Sequence, residues 1–70
     1  MDLAKFVHNS IYEEARKAGS SSKFARRNAE IGEQMYRRSN HGERSVSIMI
    51  KNRIDDAVKE TKAFNKAKGK

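Results

Sequence analysis

Apolar residues recur at three- and four-residue intervals in three separate runs of this chain. Breaks at Gly19 and Gly42 part the runs, and there is no proline. That spacing is the period of an α-helix with one buried face, so it points to helices packed on helices. In the first run Leu3, Phe6, Val7, Ile11, Ala15 and Ala18 share a face, Asp2 is placed to cap its start, and Gly19 can take the left-handed conformation that ends a helix. Ser20, Ser21 and Ser22 offer hydroxyls to cap the next helix. From Lys23 to Arg38, Phe24, Ile31 and Met35 fall on one line, widened by Ala25, Ala29, Gly32 and Tyr36.

After the breaker Asn40, His41, Gly42, the residues Val46, Ile50, Ile54, Ala57, Val58, Thr61 and Phe64 share a third helical face, with Ser45 as its expected cap and Ile48 outside it. Val46, Ile48 and Ile50 also alternate as in a strand, so the alternative is helices plus one short strand at residues 44–50. The four-residue spacing sustained to Val58 favours the helix. The fold expected is all-α, a small three-helix domain over residues 1–64, followed by a basic, disordered tail over residues 65–70.

A 70-residue chain buries only about 60% of the surface its unfolded form exposes, so its core is marginal. Without cysteine it has no disulfide or thiolate metal site to compensate. Pairing of two copies, or docking on a larger protein partner, is the expected source of added stability. The longest apolar run, Ile48 to Ile50, is far short of a membrane span, and MDLAKFVHNS lacks the layout of a secretory signal. The expectation is a cytoplasmic protein with no membrane association, nucleoid-associated where it binds DNA.

The net charge is +7 and unevenly spread: residues 1–22 carry 3 basic and 3 acidic side chains, residues 23–44 carry 6 and 3, and residues 45–70 carry 7 and 3. A neutral first third before a basic remainder suggests a packing element followed by a surface for anions. The two Arg-Arg pairs of the middle segment lie eleven residues apart, so at about 100° per residue Arg26 stacks over Arg37 and Arg27 over Arg38, roughly 16 Å along the axis. Glu30 and Glu33 stand four residues from Arg26 and Arg37, whereas Arg27 and Arg38 have no acidic neighbour at that spacing.

Catalysis is not expected. Glu13 with Glu14 and Asp55 with Asp56 are sequence neighbours that diverge on a helix, while paired acid-base chemistry needs carboxylates converging across a cleft. His8 and His41 are single histidines, the serines sit in capping positions, and neither a metal nor a cofactor is anticipated.

The stretch EEARKAGSSSKFARRNAEIG resembles the helix-turn-helix family of DNA-binding domains through Ala15, Ala18, Gly19 and Ala25, departing from it at Ser20 and Asn28, where that family is apolar. The resemblance implies that Ser21, Ser22, Lys23, Arg26 and Arg27 approach the major groove. GERSVSIMIKNRI looks like the turn and second helix of ribbon-helix-helix repressors, with Glu43 interrupting the turn. The reading that follows is a small basic DNA-binding protein, a regulator or accessory factor of a bacterial genome or mobile element. It would grip duplex phosphates with Lys23, Arg26, Arg27, Arg37, Arg38, Arg44, Lys51 and Arg53. RNA is a second candidate ligand. The alternative of another class is a protein-interaction module that docks on a larger partner enzyme through its apolar helix faces.

Overall fold

The computed structural model describes residues 2–38 and 43–68, with the side chains of Glu43, Arg44 and Lys68 outside the description. Three helices follow one another: α1 (Leu3–Lys17), α2 (Ser22–Arg38) and α3 (Glu43–Lys68). Among the described residues there is no strand, so Val46 to Ile50 take the helical alternative and the strand that a ribbon-helix-helix likeness needs is missing. Among the described residues no helix is long and apolar enough to cross a membrane.

Local chemistry sets the helix ends. The Asp2 carboxylate accepts a hydrogen bond from Ala4 N–H at 3.0 Å and so caps α1. At the other end Gly19 adopts φ 109°, its N–H donates to the Arg16 carbonyl, and Ser20 N–H donates to the Ala15 carbonyl. This is the left-handed glycine ending of a Schellman motif. Ser21 then opens α2, its Oγ accepting from Phe24 N–H at 3.3 Å. Asn40, His41 and Gly42, read as a breaker, lie outside the described residues. Two boundaries depart from the sequence reading: α3 begins at Glu43, which puts Ser45 inside its first turn and not at its cap, and it continues to Lys68, into the segment read as a tail.

The pairing of residues between helices gives the topology. Asp2 meets Arg37, Ile11 meets Gly32, and Ala15 packs with Ala25, so α1 and α2 run antiparallel along their whole length. Asn28 meets Arg53 and Phe24 meets Phe64, so α3 is antiparallel to α2 and parallel to α1. A helical hairpin with this full-length ladder differs from a helix-turn-helix, whose helices cross steeply. The two departures from that motif have a structural explanation here. Ser20 and Asn28 are both buried and hydrogen-bonded to polar partners on other segments of this chain.

The core is narrow. Its buried apolar side chains are Ala4, Val7, Ile11, Ala15, Ala25, Ala29, Met49 and Ala57. Most are alanines, which let the helices approach closely but bury little area each. On α2 the inward line is Ala25, Ala29 and Gly32, with Asn28 beside them; Phe24 and Ile31 are half-buried on the flank and Met35 is exposed there. The expected stripe of large residues is therefore the edge of the interface and not its centre. Phe6 and Phe64, expected in the core, are 56% and 47% exposed. Phe6 stands one residue, about 100°, back from Val7 and falls outside the arc that α2 and α3 cover.

At the closed end of the hairpin, the turn is fastened to α3 by Thr61. Its hydroxyl accepts from Ser21 N–H at 3.0 Å, donates to the Ala57 carbonyl at 2.8 Å, and lies 3.2 Å from Ser20 Oγ. Arg16 adds a guanidinium donor to the Ser20 carbonyl at 3.0 Å.

Candidate nucleic-acid interface

The eight basic side chains singled out in the sequence do not form one surface. Because the inward line of α2 runs through Ala25, Ala29 and Gly32, Arg27 and Arg38 fall on the outer side of the helix. There they line a single groove with Glu30, Ile31, Gln34 and Met35. The stacking expected from their eleven-residue separation is thus present. Both are exposed, and neither forms an ion pair among the described residues. Two exposed guanidiniums thus stand in one partly apolar groove, which the Glu30 carboxylate also lines without pairing to either.

Arg26 is exposed as well, one step around the helix towards α1, and makes no ion pair with Glu30. Arg37, on that same flank, is spoken for. Its guanidinium donates to Glu33 Oε2 at 3.1 Å and to Asp2 Oδ2 at 3.1 Å. Its pKa is raised by the Glu33 carboxylate first and the Asp2 carboxylate second. In turn, the hydrogen bond from Arg37 holds the Asp2 carboxyl below the usual carboxylate range. Arg37 therefore closes the open end of the α1–α2 hairpin, and its charge is largely cancelled locally.

Arg53 is likewise structural. It is half-buried between α2 and α3, donates from Nη1 to Asn28 Oδ1 at 3.3 Å, and pairs through Nη2 with Asp56. Lys51 is exposed, lies about 200° around α3 from Arg53, which faces α2, and does not line the groove. Arg44 lies in the first turn of α3, its side chain outside the described residues.

Lys23 has surroundings that the sequence did not announce. Its Nζ sits 5.9 Å from the ring centroids of both Phe24 and Phe64, which meet edge-to-face at 5.8 Å. The cation is held at the start of α2 without a carboxylate partner among the described residues, and an aromatic pair is partly open beside it. The only sequence signal for this is the helical phase shared by Lys23 and the outer arginines, since Phe64 reaches the site from the far end of α3.

No family model, curated protein or solved structure matches this chain. The functional reading rests on its own geometry.

Proposed function

We propose that this protein binds duplex DNA through the outer face of α2, with Arg27 and Arg38 holding phosphates and Lys23 and Arg26 adding charge at its N-terminal end. The single observation that carries the reading is the shared groove of Arg27 and Arg38, both exposed and both without a carboxylate partner among the described residues. Neutralising phosphates releases condensed counterions, so such a face attracts nucleic acid without a base-reading motif. Arg37, Arg53 and Lys51 are removed from the grip, two by internal ion pairs and one by its place outside the groove. A regulator or accessory factor of a bacterial genome or mobile element is the role this chemistry suits.

The test is a titration of labelled duplex DNA, single-stranded DNA and RNA at two salt concentrations, for the wild type and for Arg26→Ala/Arg27→Ala/Arg38→Ala. The expected outcome is duplex binding that falls steeply with salt and is weakened in the triple variant, whose thermal unfolding stays unchanged. Undiminished binding by the triple variant overturns the assignment.

One observation favours a second reading. The floor of the groove is apolar at Ile31 and Met35, and Ile48 lies 54% exposed beyond Met35 in the adjoining depression. A larger protein with an acidic helix would fit the same arginines. A pull-down that retains one stoichiometric protein after nuclease treatment selects that reading over DNA.

A further inference from the structure

A separate apolar groove opens where the N-terminal end of α1 meets the end of α2 and the N-terminal half of α3. Leu3, Phe6, Tyr36, Val46 and Ile50 form most of its lining, and among the described residues no charged side chain lines it. It shares no residue with the arginine groove. Leu3 and Phe6, at 55% and 56% exposed, stand proud at its edge, while the buried core relies on alanines. Large apolar groups left outside a core of small ones mark a surface that something else covers.

We propose that a second copy of this chain covers it, forming a symmetric dimer in which Phe6 and Leu3 of each copy enter the groove of the other. A two-fold interface must present knob and hole on one patch, and this patch holds both. Charge selects the same occupant. Two chains of net charge +7 repel, but residues 1–22 carry equal numbers of basic and acidic side chains, so the copies meet at least cost along α1.

The experiment is sedimentation of the full, nuclease-treated chain over a range of concentrations, at low and high salt. A concentration-dependent dimer is expected, and it strengthens with salt as the repulsion is screened, the reverse of the salt effect on DNA binding. Phe6→Glu weakens the dimer at least about tenfold, as loss of a central aromatic contact does, with its helical circular dichroism retained. Ile48→Glu, on the other side of α3, leaves it unchanged. Should Phe6→Glu lose helix, Leu3→Glu carries the test, because a carboxylate in the first turn favours α1. A chain that is monomeric throughout, or a Phe6→Glu or Leu3→Glu variant that is folded and dimerises like the wild type, overturns the proposal. So does equal disruption by Ile48→Glu. DNA affinity is not measured here, so neither result bears on the arginine groove.

Discussion

Arg53 donates across the α2–α3 interface to Asn28, whose side chain is wholly buried and whose Nδ2 donates in turn to the Phe24 carbonyl at 3.0 Å. A polar residue in the middle of the inward face of α2 is tolerated because both ends of its amide are used. Asn28→Ala leaves one Arg53 donor unpaired, while the Phe24 carbonyl keeps its helical bond from the backbone N–H of residue 28, and a loss of about 1–3 kcal/mol is expected in denaturant unfolding. Asn28→Leu combined with Arg53→Met, which removes both partners, should recover most of that loss.

Gly32 and Ile11 compete for one space. A β-carbon on Gly32 would overlap Cδ1 of Ile11, a fully buried side chain with little room to turn, and would also touch Met49 Sδ at 3.4 Å. Helix propensity alone favours alanine over glycine by about 1 kcal/mol, but overpacking a closed core costs about 1–3 kcal/mol. Gly32→Ala is therefore expected to destabilise, by up to about 2 kcal/mol. Ile11→Val removes the obstructing methyl, and the double variant should be more stable than the sum of the two single changes predicts, a coupling read from a double-mutant cycle.

Thr61 is the fastening between the α1–α2 turn and α3, because one hydroxyl serves Ser21 N–H, the Ala57 carbonyl and Ser20 Oγ. Thr61→Val keeps the shape and deletes the hydroxyl, leaving a part-buried backbone donor unpaired. A destabilisation of about 1–3 kcal/mol is expected. Thr61→Ser retains the hydroxyl and should lose less than half as much. No loss in Thr61→Val beside a clear one in Thr61→Ser would mean that the methyl contact matters and the hydrogen bonds do not.

The three helices were legible because their signals are local. Asp2 caps, Gly19 turns and the four-residue spacing of α3 are each written within a few residues, and the structure uses all three. The core was less legible. Ranking side chains by hydrophobicity chose Phe24, Ile31 and Met35 as the inner line of α2, whereas close helix approach selected Ala25, Ala29 and Gly32. Which face wins depends on what the other two helices bring, and that is not present in any one segment. The basic residues divide for the same reason. Glu33 beside Arg37 was visible at four-residue spacing, but Asp2 reaches Arg37 only through the hairpin, and Asn28 reaches Arg53 only through the third helix. Arg27 and Arg38 are the pair whose relation is set within one helix, and for them the spacing argument carries through.

Asp2 links acidity to stability. Its carboxyl is held below the ordinary range, first by the Arg37 hydrogen bond, so in the interval between its folded and unfolded values the unfolded chain binds more protons. Its contribution is present above the unfolded value, about 3.9, and is lost as pH falls through the lowered folded value. Asp2→Asn keeps a capping side chain but removes the charge. The thermal midpoint of the wild type should exceed that of the variant at neutral pH, with the gap narrowing below about pH 4. A gap that stays constant down to the lowest pH would assign the effect to capping alone.

The division of the arginines yields a quantitative expectation for DNA. Each phosphate neutralised contributes about −0.9 to the slope of log affinity against log salt for duplex DNA. Arg27→Ala/Arg38→Ala should make that slope shallower by about 2, because each side chain is exposed and has no carboxylate to return to among the described residues. Arg37→Ala should hardly change it, since that guanidinium already satisfies Glu33 and Asp2, but it should lower the thermal midpoint by freeing the open end of the hairpin. Arg53→Ala should lower stability most among these variants, because Asn28 loses its acceptor's partner inside the bundle. The two measurements thus separate cations that hold the fold from cations that hold a ligand. A slope that falls equally in Arg37→Ala and in Arg27→Ala/Arg38→Ala would refute the partition and return the charge of this protein to an undivided surface.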